Sequence, residues 1–246
     1  MSGSVSPMRA VGLTHRLLLR QLVTRGRVIA LVLLGAVTIL AAVGVAVSGE
    51  VDDAAATTID VIDGLGLVLV VPIVSLVFAS ASLGDGREDG TLVYLWLRPM
   101  DRLPVVVGAY LASITISVPL TVAPLAGAAA IGGAGRDGVI ATVVASLIGV
   151  IAYSALFVLL GLIVKNAIVW GLAYVLLWEG LFTQFSEAIG QAAVRGYLRA
   201  TLADLSGVPL DDALDVSAVT AVVIAIAIAG FSTALAAMRL DSMEIA

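Results

Sequence analysis

Long runs without a single charge constrain this chain more than any motif does. Residues 28–47, 64–83, 103–135, 139–164 and 216–238 contain no Asp, Glu, Lys or Arg, and residues 167–184 contain only Glu179. A helix needs roughly 20 apolar residues to cross a hydrocarbon core about 30 Å thick. Six runs of that kind predict six transmembrane helices, at about 28–47, 64–83, 105–132, 139–164, 167–184 and 216–238. The fold class expected is an all-α polytopic membrane protein in a single transmembrane domain, 1–246.

Composition agrees. The chain is 61% hydrophobic and 13% charged, against about 25% charged in soluble domains. A soluble fold of this length cannot hide that much apolar surface. An ordinary soluble enzyme, a disordered tail and a disulfide scaffold are excluded, and the net charge of −5 argues against nucleic acid as a partner. With no cysteine, redox compartment is unreadable. Twelve of the 13 basic residues are Arg. With abundant Ala, Val and Gly, this points to GC-rich coding and a prokaryotic cell membrane. No cleavable signal is expected, because the first apolar run follows five Arg and is long enough to span.

The connections orient the spans. Arg9, Arg16, Arg20, Arg25, Arg27, Arg87, Arg98, Arg102, Lys165 and Arg239 fall on one side; Arg136, Arg195 and Arg199 fall on the other. Positive residues favour the cytoplasm, so both termini are expected inside. The first outer connection is acidic, with Glu50, Asp52, Asp53, Asp60 and Asp63. Lys165 and Asn166 alone separate two apolar runs and predict a tight inner hairpin, with Lys165 snorkelling to the interface.

Ahead of the first span, residues 8–26 read as a basic amphipathic helix. Arg9, Arg16, Arg20 and Arg27 fall within about 40° on a helical wheel. Val11, Leu18, Leu19 and Leu22 lie opposite. Such a helix rests on the inner interface with its apolar face down and its arginines on anionic lipid. Gly26 is the expected turn into the first span. The helix serves as a lipid anchor or as an elbow that also touches a cytoplasmic partner. His15, the sole histidine, lies on the apolar side, and no metal site is expected from it.

The inner loop 85–102 carries the most specific string. Gly84 and Gly86 are expected to open it, and Asp89 or Thr91 can cap a short helix. Leu92, Leu95 and Trp96 share one face, and Pro99 ends the helix. A short apolar knob flanked by charge suits docking into a partner's groove; it also suits a turn resting on headgroups, with Tyr94 and Trp96 as belt aromatics.

The run Arg87-Glu88-Asp89-Gly90-Thr91-Leu92, then Leu95, then Arg98-Pro99 and Arg102, resembles the first cytoplasmic loop of ABC-2 type transporter permeases. Six spans, inner termini and a basic elbow helix are similar too, so the architectural likeness covers nearly the whole chain, while the motif covers about residues 87–102. Met100-Asp101 departs from the small or hydroxylated residue that family members often carry. The resemblance implies that residues 87–98 form a coupling helix docking on a separate ATP-hydrolysing subunit. It also implies a second permease subunit, identical or similar, and ATP with Mg on the partner rather than here. The chain itself lacks a P-loop: its sole lysine, Lys165, follows no glycine loop.

Glu179 is the one ionisable residue in a predicted span. Such a residue has a partner or a role. A translocation-path or proton-coupling role stands beside a structural pair with Arg195 or Arg199. Counted from Ala167, Glu179 is expected nearer the outer face than the middle. Residues 186–204, with Glu187, Gln191, Arg195 and Arg199 every fourth residue, predict outer amphipathic helices on or dipping into the surface. ABC-2 permeases are similar there, and such a segment suits an outer gate or a plain loop helix. Asp204, Asp211, Asp212 and Asp215 match no calcium loop and read as a solvated face. Pro72, Pro119 and Pro124 read as static kinks or hinges.

The leading expectation is an exporter permease for a hydrophobic, amphiphilic or lipid-like cargo. The competing expectation is an ion-coupled secondary transporter using Glu179. An intramembrane enzyme lacks a catalytic set, since the only histidine lies outside the spans.

Overall fold

The computed structural model describes residues 6–48, 53–90, 101–181, 193–211 and 213–243. Among these, every regular element is a helix. They are α1 (Pro7–Leu22), α2 (Arg25–Ser48), α3 (Ala54–Glu88), α4 (Arg102–Gly132), α5 (Gly135–Ile163), α6 (Ala167–Glu179), α7 (Val194–Ser206) and α8 (Ala218–Ser242). Five of them, α2, α3, α4, α5 and α8, are long and apolar enough to cross a bilayer. These five helices mark a multi-pass membrane protein.

Local chemistry sets the boundaries. Asp53 caps α3 by accepting the Ala56 N–H at 2.9 Å, and Ser217 caps α8 by accepting the Thr220 N–H. Gly133, at φ 85, ends α4 in the left-handed region. Within α3, residues Ile62–Val70 are π-helical, directly ahead of Pro72. Proline has no N–H, and its ring collides with the carbonyl four residues back. The wider turns of these nine residues accommodate that collision and keep the helix running.

α5 is the central helix, covered by α3, α4, α7 and α8. It crosses α3 closely at Gly161, where a Cβ would stand 2.6 Å from the Ser80 carbonyl oxygen. α2 packs on α4 where Gly35 meets Pro124. The outer face of α2, with Ile29, Leu33, Val37, Leu40 and Val47, is exposed; in a membrane protein such a face meets lipid.

Contacts between sequence-distant residues define one end of the bundle. Arg27 at the start of α2 pairs with Asp85 near the end of α3 at 2.9 Å. Arg102, opening α4, stands 3.7 Å from Asp241, which closes α8. The turn between α5 and α6 lies at the same end, because the Asn166 N–H donates to Glu88 Oε1 at 2.8 Å. Asn166 takes φ 54, which lets two residues, Lys165 and Asn166, reverse the chain.

Several boundaries differ from the expectation. α1 stops at Leu22 and the chain breaks at Val23 and Thr24. Gly26 and Arg27 therefore belong to α2, and Arg27 leaves the arginine stripe of α1 for Asp85. The face of α1 that buries is Ala10, Thr14, Leu18 and Leu22, and it packs on α4, with Gly108 against Thr14. Leu18 and Leu22 thus meet protein, not lipid. Leu13 and Leu17 flank them exposed. α3 continues as helix through Gly84 and Gly86 to Glu88, with Asp89 as its C-cap and Gly90 at φ 68. Asp60 and Asp63, expected in the outer connection, are inside α3.

Candidate functional site

The run expected to span 167–184 is helical for a shorter stretch. α6 has seven α-helical residues followed by six π-helical ones, about 20 Å at the α-helical rise. Its last residue, Glu179, is 3% exposed. It meets Tyr153, which lies ten residues, or about 15 Å, from the Ile163 end of α5. Glu179 is therefore deep in the bundle, not near the end where α5 begins. α7 starts at that depth and runs away from it. Its Leu198 lies against Gly149 and its Asp204 reaches Ala218 at the start of α8. The helix expected on the outer surface is inside the protein, with Val194, Leu198, Ala200, Thr201 and Leu202 buried.

Where α6 ends and α7 begins, four charged side chains from three helices collect. Glu179 accepts hydrogen bonds from the Tyr153 and Tyr174 hydroxyls, the latter at 2.8 Å. It also accepts from the backbone N–H groups of Val194 and Arg195. Those two groups are the first of α7, whose own N-cap, Ala193, has no side chain to cap them. Glu179 is thus the N-cap of a helix to which it does not belong. The positive end of the α7 dipole faces its carboxylate.

One turn along, Arg199 Nε donates to both oxygens of Asp63, at 3.0 and 3.1 Å. Arg195 lies 4.0 Å from the same carboxylate and donates to the Glu179 carbonyl oxygen at 3.4 Å. Two carboxylates and two guanidiniums balance. That is what makes charge tolerable at such depth, since an unpaired buried ion costs several kcal/mol.

The π-helical stretches put the acids there. Tyr174 and Glu179 are five residues apart and hydrogen-bond each other. On an α-helix, residues five apart diverge by about 140°; a π-helix closes i to i+5 and stacks them. Asp63 lies in the other π stretch.

The sequence paired Glu179 with Arg195 or Arg199, whereas both arginines pair with Asp63 and Arg195 reaches only the Glu179 carbonyl oxygen. Asp63, Tyr153 and Tyr174 were missed: Asp63 and Tyr174 stand on π-helical stretches, where α-helical spacing aims them elsewhere, and Tyr153, on the regular α5, carries no charge to mark it. Asp204, Asp211 and Asp215 are exposed, as expected of a solvated face, and Asp204 also accepts the Ala218 N–H at 2.7 Å, tying α7 to α8. Asp212 lies outside the described residues.

Of the predicted docking loop, Glu88, Asp89, Gly90 and Arg102 are placed at the end of the bundle where α2 begins and α8 ends. Thr91, Leu92, Leu95, Trp96, Arg98 and Pro99 lie outside the described residues, as do residues 186–192 of the predicted outer helices. On α1, Arg9, Arg16 and Arg20 project opposite the face packed on α4. His15 Nε2 lies 3.1 Å from Thr115 Oγ1. Among the described residues no group of His, Asp and Glu is arranged to hold a metal ion. Compared with protein-family models and with curated proteins, the chain matches none.

Proposed function

We propose that this chain is the transmembrane permease subunit of an ABC-2 type exporter, moving a hydrophobic, amphiphilic or lipid-like substrate out of a prokaryotic cell. The observation that carries the reading is the anchoring of the motif-bearing loop. The loop leaves α3 at Glu88, which holds the α5–α6 turn through Asn166, and returns at Arg102, which faces Asp241 of α8. A push on residues 89–101 therefore reaches α3, α4, α5, α6 and α8 together. That is the mechanical requirement for a loop that receives motion from a separate ATPase.

In this reading both termini are cytoplasmic, and the anchored end of the bundle faces inward. Six crossings result from five long helices plus α6 and α7 laid end to end. α1 is the elbow helix, its arginines turned to headgroups and cytosol. A second permease subunit, like or identical, completes the path, and ATP with Mg is bound by the partner ATPase.

The runner-up, ion-coupled transport through Glu179, is disfavoured by the hydrogen bonds around that carboxylate. Four donors from its own chain already address it, and an ionised carboxylate offers about four acceptor sites.

Co-purification tests the proposal. A cytosolic P-loop ATPase is expected to bind the intact chain, and Leu92→Asp or Trp96→Asp is expected to abolish binding and transport. Undiminished substrate-stimulated ATPase activity in both variants would overturn it.

A further inference from the structure

α7 is attached to the rest of the protein at points that differ sharply in kind. Its C-terminal end is joined to α8 through an eleven-residue link, 207–217, that begins at Gly207, φ 71, and by Asp204 on the Ala218 N–H; Arg199 also donates to the Asp211 carbonyl oxygen of that link at 2.7 Å. Its N-terminal half is held by two acids from other helices: Glu179 of α6 on its first N–H groups, and Asp63 of α3 on Arg199. Both acids stand on π-helical stretches. A π-helical stretch is a local register excess. Converting it to α-helix rotates the flanking side chains by about 100° per residue shifted.

We propose that α7 is a latched plug. Asp63 and Glu179 are the positioning residues that keep its N-terminal half seated between α3 and α5. Loss of the π register in α3 or α6 withdraws an acid and lets α7 swing out about Gly207. The two acids are unequal. Asp63 holds a side chain, which solvent can replace; Glu179 holds backbone N–H groups, which need another acceptor. Release therefore begins at Asp63. The proposal rests on the permease reading only for its purpose, an outer gate. The latch itself is a property of this chain.

The chain has no cysteine, so one introduced thiol reports on one place. Ala200→Cys sits on the seated face of α7, where Ala200 is 2% exposed. Ala109→Cys, at a buried position of α4, is the control for general loosening. The full chain in lipid vesicles is treated with a polar maleimide supplied on both faces of the bilayer. Asp63→Asn is expected to speed labelling at Ala200→Cys by about tenfold or more, the effect of losing a charge-assisted hydrogen bond, with Ala109→Cys still shielded. Asp63→Asn together with Arg199→Gln is expected to label faster than the parent as well, since the ion pair is gone and with it the Arg199 donation to the Asp211 carbonyl oxygen at 2.7 Å.

Where the single variant also exposes Ala109→Cys, the double variant, which keeps acids and guanidiniums in balance, is read instead. Ala200→Cys as shielded as in the parent, in a variant whose Ala109→Cys is shielded, overturns the latch. With the co-purified ATPase present, ATP is expected to speed labelling of the parent. Mutational release without an ATP effect leaves the latch standing and overturns the exporter reading.

Discussion

Glu179 offers a prediction that separates an anchor from a proton carrier. The perturbations are Glu179→Ala and Glu179→Gln. Alanine removes every acceptor from four donors. The Tyr153 and Tyr174 hydroxyls can rotate to other acceptors, but the Val194 and Arg195 N–H groups are fixed by the start of α7. An unsatisfied buried donor costs about 1–3 kcal/mol, so two cost about 2–6 kcal/mol, before any cavity left by the side chain. Glutamine keeps one oxygen for those N–H groups. Its amide nitrogen then faces tyrosine hydroxyls, which accept as well as donate. Relief from burying a charge offsets part of the weaker bonding, and the net loss is about 1 kcal/mol. Unfolding in detergent, followed by denaturant midpoint, reads stability; substrate efflux from vesicles containing the ATPase reads function. Expected is a large stability loss for alanine, a small one for glutamine, and transport that follows stability. Equal stability of parent, glutamine and alanine variants, with transport abolished in both, would refute the anchor and restore the coupling carboxylate.

Other expectations follow from particular contacts. Gly161→Ala should destabilise by about 1–3 kcal/mol through overpacking, since its Cβ meets the Ser80 carbonyl. Gly127→Ala, with nothing within 4 Å, should be neutral or stabilise by up to about 1 kcal/mol from helix propensity. Equal effects in thermal unfolding would contradict the close crossing of α3 and α5. Asp53→Ala should cost about 1 kcal/mol by uncapping α3, read as earlier hydrogen exchange at Ala56, and unchanged exchange there would count against the cap. Glu88→Ala should leave the ATPase bound while lowering transport per ATP several-fold, because the loop loses its hold on the Asn166 turn; unchanged coupling would remove that turn from the force path.

Much of the architecture was legible because lipid imposes a length and charge rule that a linear sequence can display. Charge-free runs of sufficient length marked α2, α3, α4, α5 and α8, and the two-residue Lys165-Asn166 gap marked the tight turn. Residues that act through local backbone geometry were less readable. α1 was recognised by its arginine stripe, yet Leu18 and Leu22 turned to α4 instead of lipid, because an apolar face does not announce whether protein or acyl chains will cover it.

Hydropathy by itself determined that this chain lives in a bilayer, and roughly where α2, α4, α5 and α8 run, since that demand acts on each segment separately. Only the tertiary structure decided that Asp63 pairs with Arg199, 136 residues away, and that Glu179 caps α7. Those partners are chosen by depth, by the π-helical register ahead of Pro72 and over 174–179, and by how α7 folds back along α5. Spacing along a regular helix carries no record of such things.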